Sequence, residues 1–150
     1  MAEITVALIS KLRSRTGAGL GNCRKALMET DGDIEAAIDS LRKKGIATAA
    51  KKAGRSTLEG VITQTIAQGA KIGVIVEINC ETDFVAKNEK FQEFCDEVAK
   101  AYLDDPNVDL EAKRTDKVAE IGENIQFARH ERLEIDGSGS IAAYIHHGAK

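Results

Sequence analysis

Tryptophan is absent, and aromatic residues make up only 4% of the 150 positions. So few rings cannot pave the stacking surface on which proteins hold single-stranded nucleic acid. Cysteine is scarce and odd in number. Cys23, Cys80 and Cys95 lie far apart, with no Cys-x-x-Cys pair. This spacing argues against a disulfide scaffold and a zinc ribbon. It fits a reducing cytosol, where the thiols serve as small buried hydrophobes. No apolar run approaches the ~20 residues needed to span a bilayer. The opening segment, Met1 to Thr5, lacks the basic start and apolar run of a signal peptide.

Recognisable chemistry is also missing. No glycine-rich phosphate loop follows a strand, and Gly-Lys-Ser/Thr does not occur. His130, His146 and His147 have no Cys or Asp at metal-ligand spacing. Neighbouring His146 and His147 would point to opposite faces of a strand, which opposes joint chelation. Carboxylates are plentiful, but none stands in an otherwise apolar stretch that would raise its pKa. Composition therefore describes a binding protein, with no catalytic residues and no metal or cofactor of its own.

What is present is enough for a folded chain. Apolar residues are 43%, charged residues 30%, and the formal net charge is −3. The charge is unevenly spread. Residues 1–60 carry 11 Lys+Arg against 7 Asp+Glu, net +4, and residues 61–150 carry 10 against 17, net −7. The change of sign predicts two units with different surfaces. We place them at residues 1–54 and 55–150. Arg42 to Arg55 holds six basic residues and no acidic one. It is either a solvated helix end with a basic linker or a place to meet phosphates. The −7 of the remainder disfavours nucleic acid as a direct partner.

The first unit reads as three short helices. Thr5 is placed to cap a helix through about Ser14, with Ile4, Leu8 and Leu12 on one stripe. Gly17-Ala18-Gly19 breaks it. A second helix covers Leu20 to Glu29, with Cys23, Ala26 and Leu27 facing inward. Asp31-Gly32-Asp33 makes a turn, and Asp33 caps a third helix with Ile34, Ala37, Ile38 and Leu41 on its apolar side. Gly45 is expected to stop that helix.

The second unit changes to a period of two. Residues 61–66 and 72–80 alternate around a turn at Gln68-Gly69-Ala70 and predict a β-hairpin. Ile72, Val74, Val76, Ile78 and Cys80 share its apolar face. Thr82 or Asp83 then caps a helical region in which Phe91, Phe94, Cys95, Val98 and Tyr102 recur at helical spacing. Asp104 to Asn107 ends it, around Pro106. A charged helix over Leu110–Glu120, a strand over Ile125–Ile135 and a strand over Ser140–His146 complete the reading. The class is α+β, with a three-helix bundle followed by an antiparallel sheet that carries helices.

Gly60–Lys71 aligns without gaps to Gly139–Lys150, and six of the twelve positions match. The matched Ile62 and Ile66 read as inward positions. In the second copy the chain stops where the hairpin's other strand would begin, leaving an unpaired edge. The expectation is the N-terminal part of a longer protein. The alternative is a short protein whose last strand pairs elsewhere in the sheet.

Asn79 to Glu89 leaves an apolar strand and enters a helix through a polar cap. Phe84 sits just past the cap. Pattern alone leaves two readings open: a core side chain, or an apolar knob on a strand-to-helix corner, a typical interface anchor.

These residues resemble bacterial elongation factor Ts along the whole chain. The resemblance is carried by residues 2–5, 12–19, 23–27, 32–33, 79–89, 121–125 and 147–150, of which Asn79–Glu89 is the most specific. It implies a ubiquitin-associated-like three-helix domain followed by a core of two related halves. It also implies a guanine nucleotide exchange factor that binds elongation factor Tu, expels GDP and leaves when GTP enters. Arg13, Leu20 and Gly21 would meet a helix of the GTPase domain. Thr82, Asp83, Phe84 and Val85 would disturb the Mg²⁺ side of the nucleotide site, with Phe84 as wedge and Asp83 as polar clamp. Ile121 and Gly122 would line the same face, and His147 would belong to the contact made by the second half. The family often has two bulky apolar residues where this chain has Leu20 and Gly21, which implies a weaker apolar contact there. The alternative function is a non-exchanging, protein-binding or scaffold module that uses the three-helix unit.

Overall fold

A computed structural model describes residues 3–146. The elements in chain order are α1 (Val6–Thr16), α2 (Leu20–Glu29), α3 (Ile34–Lys52), β1 (Glu59–Ile66), β2 (Ile72–Cys80), α4 (Asp83–Ala86), α5 (Glu89–Asp104), α6 (Glu111–Ile121) and β3 (Gln126–Glu134). The chain is α+β and divides into two compact units. One is Met1–Ala53 with Thr115–Gly122, and the other is Gly54–Arg114 with Glu123–Lys150. The first unit thus includes a segment that the sequence alone groups with the sheet.

In the first unit, polar caps set the helix starts. The Thr5 hydroxyl accepts the Leu8 N–H at 3.2 Å, and the Asp33 carboxylate accepts the Ala36 N–H at 3.0 Å. Gly17, at φ 69°, closes α1 by donating its N–H to the Arg13 carbonyl. Leu12, Cys23, Ala26, Leu27 and Ala37 form the buried centre, with Ile4, Leu8, Ile9, Ile34, Ile38 and Leu41 packed around it.

Gly45 does not stop the third helix. α3 runs on to Lys52, and Gly45 is buried inside it. Two effects reverse the expectation. Ile46 to Lys52 is rich in alanine and lysine, which favour helix, and this offsets the ~1 kcal/mol cost of one interior glycine. A Cβ placed at Gly45 would also lie 3.4 Å from the Ala119 Cβ on α6, so the missing side chain admits a close approach. Lys52 at the helix end donates to the Gly122 carbonyl at 2.8 Å.

In the second unit, β1 and β3 both pair antiparallel with β2, giving the order β1-β2-β3. Gly69 and Ala70, both at positive φ, make the hairpin turn. α5 covers one face of this sheet. It buries Phe91, Phe94, Cys95, Val98, Ala99 and Tyr102, and the sheet contributes Val74, Val76 and Ile78. Each fully buried Phe, Val or Ile among them contributes about 1.5–3 kcal/mol. Tyr102 stacks on His130 with ring centroids 3.9 Å apart, and Phe94 lies against Phe127.

The face assignment of β1 is corrected. Thr63 is its buried residue and donates to the Asp96 carboxylate of α5 at 2.7 Å. Ile62 and Ile66, opposite Glu77 and Gly73, therefore lie on the other face and are only half-buried. The register instead sets Val61, Thr63 and Thr65 opposite Ile78, Val76 and Val74, the buried side of β2, so the less apolar set of β1 faces the core.

The strand expected over Ser140–His146 is not formed. The chain after β3 is irregular and is tied to the hairpin turn. Ile135 and Ile141 donate their N–H groups to the carbonyls of Lys71 and Ala70 at 2.8 and 2.7 Å. The Lys71 ammonium bonds the carbonyls of Gly137 and Gly139, both at 2.6 Å. A lysine and two backbone amides hold what the repeat alone would have made a strand. The end of the repeat, residues 147–150, lies outside the described residues.

The close approach at Gly45 sets an expectation for unfolding. Gly45→Leu should lower stability by about 1–3 kcal/mol through overpacking against Ala119, whereas Gly45→Ala should stay within ~1 kcal/mol of the parent. Denaturant titration of the two variants measures this, and equal midpoints would mean that the space beside α3 is not close-packed.

Candidate functional site

The segment after β2 turns sharply from strand to helix. Thr82 is the N-cap of α4, and its hydroxyl accepts the Val85 N–H at 3.3 Å. A second cap follows at once, where the Asn88 side chain accepts the Phe91 N–H at 3.3 Å and starts α5. The helical region foreseen as one run is therefore two helices that meet at Lys87-Asn88. This puts Phe84 on a one-turn helix held at both ends, and its ring is 81% exposed. Of the two readings left open by the sequence, the core reading is excluded. Asp83 beside it is paired with Lys87 at 2.8 Å, one turn along. Thr82 and Val85 are half-buried.

The corner is held from a distance in sequence. Glu123 accepts the N–H groups of Glu81 and Thr82 through Oε2 at 2.9 and 3.0 Å, and the Thr82 hydroxyl through Oε1 at 2.5 Å. In return the Glu81 carboxylate accepts the Asn124 N–H at 2.7 Å. The Asn124 side chain donates to the Arg55 carbonyl at 2.9 Å, and Arg55 approaches Glu81 at 3.6 Å. Sequence reasoning did not find Glu123. The available signal was its place inside the 121–125 stretch that carries the family resemblance, directly after Gly122.

Cys80, the last residue of β2, is fully buried and donates its S–H to the Thr82 carbonyl at 3.3 Å. Burial, and next the Glu123 charge, push this thiol up to about 11. It is an inert packing residue at neutral pH.

The other residues singled out by the sequence sit in the first unit. Arg13 and Gly21 are exposed, and Leu20 is 53% exposed at the start of α2. Met28, two turns further along α2, is 62% exposed. Ile121 is half-buried at the end of α6, and Gly122 is exposed. His147 lies outside the described residues. Among the described residues no group of His, Cys, Asp and Glu could hold a metal ion. No helix among them is long and apolar enough to cross a membrane.

The structure thus defines an α+β protein whose sheet unit displays one aromatic ring on a rigid corner. A family model described as "Elongation factor TS" matches residues 81–150, which begin at that corner. The chain is 51% identical over 153 residues to the elongation factor Ts of Symbiobacterium thermophilum, covering 97% of this chain and 50% of the relative. It is 53% identical over 153 residues to that of Sodalis glossinidius, covering 97% and 53%. Against that of Haemophilus ducreyi it is 50% identical over 157 residues, covering 100% and 53%. The chain belongs to the elongation factor Ts family, and it spans about half the length of the curated relatives it matches.

The raised Cys80 thiol carries a pH dependence. Its folded pKa lies above the unfolded one, so the folded state holds the proton more tightly. The associated stability is fully present below the ordinary thiol range and is lost as pH rises toward about 11. Stability should fall by roughly 2–3 kcal/mol over that interval. Cys80→Ala should flatten this part of the profile, and the checking measurement is urea unfolding at pH 8, 9.5 and 11.

Proposed function

We propose that the chain acts in translation elongation as a guanine nucleotide exchange factor for elongation factor Tu. It would bind the GDP-loaded GTPase and speed GDP release by disturbing the Mg²⁺ side of the nucleotide site. The observation that carries this reading is the exposed Phe84 on a corner that hydrogen bonds already fix. An ordered apolar knob loses little freedom on docking, so more of its contact energy appears as binding.

The physics is linkage. Factor and nucleotide bind the GTPase with unfavourable coupling, so each weakens the other by the same factor. Mg²⁺ neutralises phosphate charge, and moving the groups around it loosens the nucleotide. Thr82 to Val85 would supply the displacement, with Phe84 as wedge and Asp83 as clamp. Arg13, Leu20 and Gly21 would hold a second place on the GTPase, and Ile121, Gly122 and His147 would add to the contact. The factor makes no covalent bond, so it is not an enzyme in the chemical sense and needs no cofactor of its own. The GDP and Mg²⁺ belong to its partner, and the setting is the cytoplasm.

Two outcomes test the reading. Phe84→Ala should leave unfolding within about 0.5 kcal/mol of the parent, because an exposed ring has little packing to lose. It should slow accelerated release of labelled GDP from elongation factor Tu by about tenfold or more, the scale of an interface anchor. Normal accelerated release by a folded Phe84→Ala variant would remove Phe84 as the wedge, whereas a parent chain that binds the GTPase without speeding release would leave the alternative, a module that binds without exchanging. Arg13→Ala should weaken association with the GTPase and leave unfolding within about 0.5 kcal/mol. Parallel loss of melting temperature and binding would remove Arg13 from the contact.

A further inference from the structure

The geometry points to Glu123 as a positioning residue for exchange, which acts by clasping the Phe84 corner in its docking-ready shape before the partner arrives. The inference rests on the reading of Phe84 as the wedge, and it assigns a role to a side chain that contacts the corner's backbone and not Phe84 itself.

Three donors converge on one carboxylate. Glu123 takes the Glu81 and Thr82 N–H groups and the Thr82 hydroxyl. Bonds to an ionised acceptor are about twice as strong as neutral ones. The Thr82 hydroxyl has a single proton. Donating it to Glu123 leaves the oxygen lone pairs aimed elsewhere, and one of them receives the Val85 N–H. Glu123 thereby orients the cap as well as the strand end. Without it, the N–H groups of Glu81 and Thr82 lose the acceptor that ties them across 42 and 41 residues of chain. α4, from Asp83 to Ala86, is a single turn. A turn this short has no stability of its own, because helix nucleation is costly. The corner must therefore be held by side chains, and the clasp does so on the strand side, as Asn88 does at the other end.

A loosened corner is competent only part of the time. Apparent affinity then falls by the competent fraction, while the bound complex is unchanged. The effect should appear in the concentration of factor needed, not in the limiting rate.

The experiment uses the whole chain with elongation factor Tu carrying labelled GDP, and it compares Glu123→Ala, Glu123→Gln, Phe84→Ala and the Phe84→Ala/Glu123→Ala pair. In Glu123→Ala, the amide protons of Glu81, Thr82 and Val85 should exchange with solvent at least ~10-fold faster than in the parent, with amides in the centre of α5 unchanged. The half-saturating concentration for GDP release should rise about tenfold, and the limiting rate should stay within about twofold. Glu123→Gln keeps one carbonyl oxygen for the two N–H donors and should recover most of the loss. In the Phe84→Ala background, Glu123→Ala should add less than about twofold, because both act through one knob. If Glu123→Ala does not fold, Glu123→Asp keeps the charge, withdraws the carboxylate by one methylene and is read in the same way.

Unchanged amide exchange at the corner, or a full additional loss in the Phe84→Ala background, would overturn the clasp. If Phe84→Ala alone left release unaltered, the reading of Phe84 as wedge would fall first, and the clasp with it. If Phe84→Ala slowed release and Glu123→Ala were additive with it, exchange would stand and the clasp would fall.

Discussion

The carboxylate of Glu123 and the three donors it receives fix the junction between the end of β2 and the start of α4. Much of the second unit is organised around that junction. β2 is the central strand, so its end cannot shift without disturbing both β1 and β3. The apolar face of β2 carries the α5 side chains, and only Lys87 and Asn88 separate α4 from α5. An error at Thr82 would therefore be passed to the helix that covers the core. The neighbouring bonds from Asn124 to Glu81 and Arg55 close the same region with the chain running the other way.

Much of the fold was legible in the sequence because the signals were local. Thr5, Asp33 and Thr82 cap helices where their side chains reach the backbone three residues on. The apolar face of β2 and the α5 spacing of Phe91, Phe94, Val98 and Tyr102 were readable for the same reason, since each period repeats within one element. Phe84 was visible as a residue of interest, but its exposure was not. Whether an aromatic after a cap turns inward depends on where the next helix starts, and that was set by Asn88.

The features that were not legible depend on partners far along the chain. Gly45 reads as a helix stop until Ala119, more than 70 residues later, is placed beside it. Thr63 reads as a solvent-facing neighbour of two isoleucines until Asp96 takes its hydroxyl. Ser140–His146 reads as a strand from its likeness to β1, yet Lys71 and the backbone of Ala70 engage the chain at Gly137, Gly139 and Ile141 first. Glu123 lies within the 121–125 resemblance, but a carboxylate after a glycine does not reveal its donors until the fold brings Glu81 and Thr82 to it. In each case a polar or steric contact between distant residues decided between two locally equivalent arrangements.

The way α6 is shared has a consequence for how the molecule can be divided. Its early residues, to Arg114, belong to the sheet unit, and those from Thr115 belong with the three helices. The chain therefore passes between the units three times, at residues 53–54, 114–115 and 122–123. Neither unit is one uninterrupted stretch of polypeptide. A gene fragment ending near Gly54 would encode α1 to α3 but omit the helical turns that close over Gly45. The complementary fragment would carry those turns with nothing of their own unit to cover. During synthesis the three helices precede the rest of their unit, which stays incomplete until the chain has been extended through Gly122.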